Sequence, residues 1–453
     1  MEHAPRLFGT DGVRGVAGQY PLDRRTVHQL GVALACVLEG ENPSRPLQVL
    51  LGEDTRESSP WISRILAAGL KSRGIDVVYA GVITTPGVAF LTRHHGFAAG
   101  VMVSASHNPY QDNGIKVLSS SGTKLPEALE LEVERALNRV VAAAGTEVEV
   151  PLHPVPELLR NYVKRLVELV SNGSRVSGLR LVIDCAHGSA SHVVPQLMDE
   201  LGVEARVLNA EPSGRNINLN CGSLHPEMMA QEALRCAADL GVAFDGDADR
   251  AIFATQEGHI ADGDHVLFVM APFLKNKQTL RGRAVVGTLM TNLGLELALA
   301  KESIGLKRTA VGDKYVLEEM LRSGINLGGE PSGHIIFADI SLAGDGMITL
   351  LEILGAIAKT GQTLRELVHG LALFPQVILN VRVREKPPLE SIPEVAQAIA
   401  RCRSEFGSKG RAVVRYSGTE HLVRVMVEAE DAKAVQEHAA RIAQAVASRI
   451  GVH

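Results

Sequence analysis

The chain has 453 residues, 45% of them hydrophobic and 21% charged, and its net charge is −5, which predicts three or four soluble domains. No stripe or run of lysine and arginine is present, which argues against nucleic acid as the main partner. The five cysteines are odd in number and lack Cys-x-x-Cys spacing, so we expect neither disulfides nor structural zinc. No apolar run could cross a bilayer and residues 1–11 lack a signal-peptide core, so we expect a cytoplasmic protein without a membrane partner.

The first part of the chain alternates helices and strands, a pattern typical of a mostly parallel sheet. Residues 8–15 hold three glycines and one cation, Arg14, and taken alone they predict an exposed turn rather than a strand. Residues 84–86, Thr-Thr-Pro, predict a second turn. Helices are predicted at 26–38, 59–71 and 126–141, and strands at 47–51, 77–79 and 98–103.

The stretch 104–116, which follows the apolar run 98–103, collects small, polar and cationic residues. Pro109 prevents the strand from continuing, and open α/β sheets bind ligands where their strands end. Two hydroxyls, an imidazole, an amide and Lys116 suit a covalent intermediate on a serine. Taken alone, the stretch is more typical of an ordinary Ser/Asn/Pro turn.

The second part of the chain leads to an acidic motif. It predicts helices at 156–170 and 226–239, a third ending at residue 201, a strand at 179–184 and a long polar loop at 216–226. Asp245, Asp247 and Asp249 stand at alternate positions and would point to one side of an extended backbone. Three like charges need a cation, and all-oxygen ligation suits Mg²⁺. The alternative is a solvated acidic turn; an EF-hand fits badly, because its Gly and Glu positions hold Arg250 and Gln256.

The third part predicts a loop that fits a small polyol. Helices are predicted at 264–274, 292–301, 314–323, 346–359 and 363–369, and strands at 284–287, 308–311 and 335–338. In residues 328–334, glycines bracket Glu330, Ser332 and His334, and Glu330 can accept hydrogen bonds from two neighbouring hydroxyls. A tight turn with a satisfied histidine is the alternative, and the loop alone favours it.

The last part, from Pro375, predicts a phosphate cradle. Strands are predicted at 377–383, 411–416 and 422–428, and helices at 392–406 and 431–450. Hydroxyls, backbone amides and two arginines meet at the turn between the last two strands. The residues of this cradle are Arg415, Ser417, Gly418, Thr419 and Arg424. A hairpin with surface arginines is the alternative. Two phosphate sites in one chain predict a substrate that is phosphorylated at one end and modified at the other.

These motifs, in this order, resemble the α-D-phosphohexomutase superfamily, and within it the branch that acts on glucosamine phosphates. Five stretches carry the resemblance, at residues 8–15, 104–116, 245–250, 328–334 and 415–420, and stretches 287–290 and 311–316 fit the glucosamine branch. The resemblance implies an α/β fold of four domains around a central cleft. Three α/β mixed-sheet domains, at 1–154, 155–254 and 255–371, would precede a smaller α+β C-terminal domain at 372–453.

The resemblance also implies a role for each motif residue. Ser106 would be the phosphoserine and, with Asp245, Asp247 and Asp249, would bind one Mg²⁺ per subunit. The residues around the transferring phosphoryl group would be Arg14, Lys116 and Arg250, with Lys116 and His334 as candidates for proton transfer. Glu330 and Ser332 would bind sugar hydroxyls, and the cradle would bind the phosphate that is not being transferred. Ala248 and Pro331 replace the commoner Gly and Gln, and neither change removes a ligand.

The implied activity interconverts glucosamine 6-phosphate and glucosamine 1-phosphate through a phosphoserine and glucosamine 1,6-bisphosphate, and it would feed UDP-N-acetylglucosamine synthesis. The implied partners are a small-molecule sugar phosphate and either an activating kinase or self-phosphorylation at Ser106, and a homodimer is compatible with the resemblance. Three alternatives stay open: a phosphoglucomutase or phosphomannomutase with the same mechanism, a metal-dependent phosphohydrolase, and a sugar-phosphate binding protein without turnover.

Overall fold

The computed structural model describes residues 7–41, 46–140, 148–171, 176, 178–417 and 421–452. Four separate sheets lie within these ranges, and we number the domains first to fourth by their sheets in chain order. This architecture confirms the predicted α/β fold class. The predicted boundaries at residues 154, 254 and 371 stay predictions.

The first domain is built on a mixed five-stranded sheet with the strand order β1-β5-β4-β2-β3. Strands β2, β3 and β4 are parallel, whereas β5 is antiparallel to both β4 and β1. The elements are β1 (Val13–Val16), α1 (Arg24–Glu41), β2 (Gln48–Glu53), α2 (Ser59–Ser72), β3 (Asp76–Val82), α3 (Thr85–His95), β4 (Ala99–Val103), β5 (Asp112–Ser119) and α4 (Glu127–Leu137).

Three predictions in this domain are wrong. The Gly-rich stretch around Arg14 is not only an exposed turn, because β1 forms an edge strand there, and Gly12 has no room for a side chain beside the carbonyl of Ile115. The stretch that ends at Lys116 is not a loop throughout, because the chain reverses after β4 and β5 pairs with it. Thr84 does not begin a simple turn: its hydroxyl accepts a hydrogen bond from the amide of Gly87 at 3.0 Å and caps α3.

The second domain has the strand order β10-β9-β8-β6-β7. Strands β6, β7 and β8 are parallel, and β9 returns antiparallel to β8, so the acidic motif connects two neighbouring strands. The elements are α5 (Pro156–Ser171), β6 (Arg180–Asp184), α6 (Ala190–Leu201), β7 (Glu204–Leu208), α7 (Glu227–Arg235), β8 (Leu240–Phe244), β9 (Ala251–Thr255) and β10 (Ile260–Ala261). The edge strand β7 was not predicted, because charged residues at its exposed positions mask its pattern.

The third domain has a four-stranded sheet with the order β12-β11-β13-β14. Strand β12 covers 305–309 and not the predicted 308–311, because it is an edge strand that exposes polar side chains. The elements are α8 (Gly263–Asn276), β11 (Ala284–Thr288), α9 (Leu293–Lys301), β12 (Gly305–Thr309), α10 (Asp313–Ser323), β13 (Leu327–Gly329), β14 (Ile335–Phe337), α11 (Gly346–Thr360) and α12 (Leu364–Val368).

The fourth domain is smaller and fits the predicted α+β pattern. Its antiparallel sheet has the order β15-β17-β16, and α13 and α14 pack against it. The elements are β15 (Gln376–Arg382), α13 (Pro393–Phe406), β16 (Gly410–Tyr416), β17 (Leu422–Ala429) and α14 (Ala432–Ile450). Among the described helices, none is both long and apolar enough to span a membrane.

The fourth domain is attached to the others differently from the way they are attached to one another. One apolar cluster contains residues of all three preceding domains, whereas the fourth domain has an apolar cluster of its own. Polar contacts join it to the third domain: the carboxylate of Glu428 accepts from the backbone amide of Leu293 at 2.9 Å, and Arg411 Nη2 donates to the carbonyl of Thr291 at 2.6 Å. A polar interface beside a separate core is typical of a domain that moves as a unit.

Candidate active site

Ser106 lies in the turn after β4 with its backbone in the left-handed region, at a φ of 53°. It is 1% exposed. Its Oγ donates to Asp245 Oδ2 at 2.5 Å, and its amide donates to Ser104 Oγ at 2.9 Å. A non-glycine residue in this conformation is uncommon and costs free energy, and such residues cluster at functional sites. The structure therefore joins the predicted phosphoserine to the predicted metal site.

The three aspartates of the second domain converge on a turn between β8 and β9. One carboxylate oxygen from each lies within 4.8 Å of those of the other two. The sequence analysis expected an extended backbone here, and that expectation is wrong. Ala248 has a φ of 57°, and its amide donates to the carbonyl of Asp245 at 3.1 Å, so the segment forms a turn. The turn, rather than strand alternation, brings the carboxylates to one side.

The carboxylates fit a bound Mg²⁺. Burial and the charges of Asp249 and Asp247 raise the pKa of Asp245 to about 8, so the site disfavours three negative charges without a cation. The Oδ1 atoms of Asp247 and Asp249 are buried without a hydrogen-bond partner. Oxygen donors with unused lone pairs in a crowded anionic site are what a hard divalent cation requires.

Lys116 is the central cation of the site. It lies on β5, is 2% exposed, and its Nζ is 2.6 Å from Asp247, 3.3 Å from Asp11 and 3.5 Å from Asp249. Burial alone would lower the pKa of Lys116, but these three carboxylates raise it well above its usual range. The residue is therefore held protonated.

Arg14 and Arg250 flank the same group of carboxylates. Arg14 Nη1 donates to Asn108 Oδ1 at 3.3 Å, and its other terminal nitrogen pairs with Asp11. The amide of Arg250 donates to Asp245 Oδ1 at 3.3 Å. Each arginine has a buried Nε without a hydrogen-bond partner. The predicted cations thus surround Ser106 and the aspartates with donor capacity left over for an anionic group.

The sugar loop brings His334 and Glu330 to this site. His334 Nδ1 is 3.7 Å from Asp249 Oδ2, and its Nε2 is 3.7 Å from Asp313 Oδ2. Burial would lower the pKa of His334, but the carboxylates of Asp249, Asp313 and Glu330 raise it to about 9. Glu330 accepts from the amide of Gly312 at 3.0 Å.

A cleft of about 480 Å³ opens over these groups, with room for a small ligand. Four of the five predicted stretches line it, and Ser332, whose buried Oγ has no hydrogen-bond partner, belongs to the sugar loop beside it. The charged and imidazole side chains that line it are those of Asp11, Arg14, His107, Asp249, Arg250, Asp313, Glu330 and His334. Among the residues that line it, none comes from the described part of the fourth domain.

The predicted phosphate cradle lies on that fourth domain. Arg415 on β16 stands directly opposite Arg424 on β17, and burial and the charge of Arg424 lower the pKa of Arg415. Like charges directly opposite each other destabilise a sheet, and a bound anion relieves the repulsion. Ser417 follows β16, and its carbonyl accepts from Lys386 Nζ at 3.1 Å. Gly418 and Thr419 lie outside the described residues.

Replacing Arg415 with Met is expected to raise KM for the sugar phosphate that the family resemblance implies, by about 10- to 100-fold, which corresponds to one lost charge-assisted hydrogen bond. The melting temperature without substrate should not fall, because Arg424 then faces no like charge. Steady-state kinetics and thermal unfolding measure the two effects. Arg401→Met is the matched control, since it removes an exposed arginine of α13 that pairs only with Glu405 among the described residues. An unchanged KM in Arg415→Met would remove this residue from substrate binding.

Sequence reasoning missed a charged group that links the first and third domains. Lys124 Nζ lies 2.7 Å from a carboxylate oxygen of Asp11 and 2.7 Å from one of Asp313. Asp11 also pairs with Lys116 and Arg14, so it connects the cations of the site. Asp11 could have been found, because it stands in the glycine-rich stretch at 8–15, but no local pattern marks Lys124.

Family models confirm the domain content of the chain. The models for phosphoglucomutase/phosphomannomutase alpha/beta/alpha domains I, II and III match residues 5–143, 160–258 and 262–374, and the model for the C-terminal domain matches 378–445. A solved phosphoglucomutase/phosphomannomutase family protein from Burkholderia thailandensis shares the fold, with a TM-score of 0.79 and 22% identity over 98% of both chains. The N-acetylphosphoglucosamine mutase of Aspergillus fumigatus, solved with GlcNAc-6P and magnesium, covers 89% of this chain and 83% of its own at 20% identity and a TM-score of 0.63.

The chain therefore belongs to the phosphoglucomutase/phosphomannomutase family of phosphohexomutases. Its full-length relatives include the phosphoglucosamine mutase of Solibacter usitatus, which is 49% identical over 99% of this chain and 100% of its own. The phosphoglucosamine mutase of Deinococcus radiodurans is 44% identical over 98% of both chains. Within the family, this chain groups with these bacterial isomerases.

Proposed function

We propose that the protein interconverts glucosamine 6-phosphate and glucosamine 1-phosphate, with Ser106 as the residue that carries the phosphoryl group. One observation carries the proposal: Ser106, buried and in a strained conformation, donates to the aspartate cluster that could bind a metal ion. Beside them lies the cleft of about 480 Å³, which is also lined by the loop at 328–334. The sugar follows from the full-length relatives that are phosphoglucosamine mutases.

In the first half-reaction, the bond between Ser106 Oγ and phosphorus breaks, and phosphorus bonds to the C1 hydroxyl oxygen of glucosamine 6-phosphate. The proton of that hydroxyl ends on Ser106 Oγ, so the products are free serine and glucosamine 1,6-bisphosphate. Phosphoryl transfer needs in-line positioning and charge neutralisation rather than further covalent chemistry. Lys116, Arg14 and Arg250 supply positive charge around the transferring group.

In the second half-reaction, the bisphosphate turns so that its C6 end faces the serine. The bond between phosphorus and the C6 oxygen breaks, Ser106 Oγ takes the phosphoryl group, and its proton ends on the C6 hydroxyl. Glucosamine 1-phosphate then leaves. The cleft must open far enough for the bisphosphate to turn and must close again to exclude water during transfer. The fourth domain, which has a hydrophobic core of its own, suits that motion.

The other residues predicted from the motifs also have proposed roles in this cycle. Asp245, Asp247, Asp249 and the phosphoserine oxygen of residue 106 would hold one Mg²⁺ per subunit, which would supply positive charge beside the transferring phosphoryl group. Glu330 and Ser332 bind sugar hydroxyls. Lys116 and His334 are the proposed proton-transfer residues, and because their pKa values are raised, each starts the cycle protonated and gives up its proton before it accepts one. The other phosphate is bound by the cradle of Arg415, Ser417, Gly418, Thr419 and Arg424.

A substrate panel tests the proposal. Purified protein with Mg²⁺ and a trace of the matching bisphosphate is given glucosamine 6-phosphate, glucose 1-phosphate or mannose 1-phosphate, and both the product isomer and free phosphate are followed. We expect preferred conversion of the glucosamine ester without release of phosphate. Preference for glucose or mannose would overturn the substrate and keep the mechanism, whereas stoichiometric phosphate release would make the protein a phosphohydrolase.

Several further properties stay predictions from the sequence. They are the cytoplasmic location, the supply of UDP-N-acetylglucosamine synthesis, a homodimeric assembly, and priming of Ser106 by a kinase or by the protein itself. Priming is measured as phosphate on Ser106 in protein expressed with and without its substrate, by mass spectrometry of the peptide that contains the serine.

A further inference from the structure

Arg56 is buried under residues 104–112, the loop between β4 and the start of β5 that contains Ser106 and that we call the serine loop. It uses every donor of its guanidinium group. Its side chain has no exposure to solvent. Its Nε donates to Asp54 Oδ2 at 2.9 Å. Its terminal nitrogens donate to four backbone carbonyls of the loop, those of Ser106 at 2.9 Å, Asn108 at 2.8 Å, Asp112 at 3.0 Å, and Pro109. Since a guanidinium group has five N–H donors, none is left for a ligand.

Asn218 reaches two of the same carbonyls from the second domain. Its Nδ2 donates to the carbonyl of Ser106 at 2.9 Å and to that of Asn108 at 3.1 Å. Asn218 belongs to the long polar loop at 216–226, to which neither the family resemblance nor the mechanism assigns a role. Its backbone has a φ of 58°, a conformation that asparagine adopts more readily than most residues. Its backbone N–H donates to the carbonyl of Ala186 at 2.9 Å. A backbone hydrogen bond within the second domain thus fixes the position of Asn218.

The serine loop is therefore held from two domains through the same backbone atoms. The Ser106 carbonyl accepts from Arg56 on one side and from Asn218 on the other. Gly246 of the metal turn closes the remaining space, because a Cβ there would lie 2.5 Å from that carbonyl oxygen and 3.0 Å from Asn218 Nδ2. The carbonyl that is held in this way belongs to the residue whose φ is strained and whose Oγ donates to Asp245.

We propose that Arg56 and Asn218 are positioning residues that clamp the backbone of Ser106 between the first two domains, so that its Oγ stays aligned with the aspartate cluster in both half-reactions. Neither residue needs to touch the sugar phosphate. The inference rests on the proposed role of Ser106 as the phosphoserine. Asn218 is the specific part of the clamp, because it ties the serine to the domain that carries Asp245 and its neighbours.

Two substitutions at Asn218 test the donor. Asn218→Asp and Asn218→Gly both tolerate a positive φ, and neither can donate to a carbonyl. Both are expected to lower kcat by about a hundredfold, the cost of displacing a reacting group by about 1 Å, and to leave KM within about threefold. Phosphate lost to water per turnover should rise, because water then competes with the sugar for phosphorus. In that side reaction the water oxygen bonds to phosphorus, the bond between phosphorus and Ser106 Oγ breaks, and a proton of the water ends on Oγ, so that inorganic phosphate is released.

Arg56→Lys tests the other side of the clamp. Lysine has three donors on a single nitrogen and cannot reach four carbonyls and Asp54 together, so kcat should fall by at least about a hundredfold while KM changes little. Thermal unfolding checks that the variant folds. If it does not, the Asn218 variants carry the test alone.

The matched control is Arg215→Ala. Arg215 directly precedes the 216–226 loop and forms an exposed ion pair at 2.6 Å with Glu57, the neighbour of Arg56. Among the hydrogen bonds of the described residues, the loop carbonyls accept side-chain donors from Arg56 and Asn218 and not from Arg215, so we expect the kcat of this variant to equal that of the unaltered protein. Peptide mass spectrometry first shows whether the unaltered protein carries phosphate on Ser106. Phosphate on another residue would overturn the proposed function and the clamp together. A phosphorylated Ser106 with unchanged kcat in both Asn218 variants, or an equal loss in Arg215→Ala, would overturn the clamp alone.

Discussion

Ser106→Ala is expected to abolish mutase turnover, by at least about 10⁴-fold, because no other group replaces a covalent nucleophile. Affinity for the sugar phosphate should persist, since Glu330 and the cradle on the fourth domain are unchanged. The protein should still fold: the substitution removes two hydrogen bonds of the Ser106 hydroxyl, to Asp245 Oδ2 at 2.5 Å and to His107 Nδ1 at 3.2 Å, each worth about 1–3 kcal/mol when buried. Coupled-assay kinetics measure turnover, calorimetry measures binding, and thermal unfolding measures stability.

A matched substitution separates loss of the nucleophile from loss of any hydroxyl. Ser121→Ala removes an exposed serine of the same domain, whose hydroxyl bonds only to Ser119 and Thr123 among the described residues, and it should have normal turnover. A peptide map should find one phosphoryl group on Ser106 in both the unaltered protein and this control. Normal turnover by Ser106→Ala would remove the serine from the mechanism.

The motif residues could be predicted because each lies in a short stretch whose residue types and neighbouring apolar strand are visible in the local sequence. Ser106 and the aspartates stand directly after the buried strands β4 and β8, and sheet ends are where α/β folds bind ligands. Apolar runs and caps also placed most helices within a few residues. The chemistry of the site was therefore legible before the distances between its parts were known.

The contacts that assemble the site could not be predicted, because they join distant parts of the chain. Lys116 looked like a loop residue, and only pairing of β5 with β4 buries it among carboxylates. Lys124 contacts Asp313 across 189 residues, and Asn218 contacts Ser106 across 112. No periodicity or spacing encodes such pairs. Strands β1 and β7 were missed for a related reason, since edge strands are stabilised by one neighbour and tolerate glycine and charge.

Removal of the metal is expected to lower turnover by at least about a thousandfold, because a bound divalent ion contributes several kcal/mol of transition-state stabilisation. Chelator-treated protein measures this loss, and added Mg²⁺ should restore activity. Stability gives a second readout that needs no substrate. Mg²⁺ at about 100 times its Kd should stabilise the fold by about 2.7 kcal/mol and raise the melting temperature, since it binds only the folded cluster.

Asp245→Asn separates the cluster from general effects of Mg²⁺. The variant should lose turnover and gain no stability from Mg²⁺. Without metal it should melt no lower than the unaltered protein near pH 7, because burial and the charges of Asp249 and Asp247 raise the pKa of Asp245 to about 8, so that the amide replaces a mostly neutral carboxyl. Asp264→Asn is the control, because Asp264 is a buried carboxyl outside the cluster that accepts from the backbone N–H of Asn292 at 2.8 Å. This variant should keep both its turnover and its stabilisation by Mg²⁺. An Asp245→Asn variant that Mg²⁺ stabilises as strongly as the unaltered protein would place the metal elsewhere. The aspartates would then have only the role that their contacts already show, which is to hold Ser106, Lys116 and His334 in one charged group.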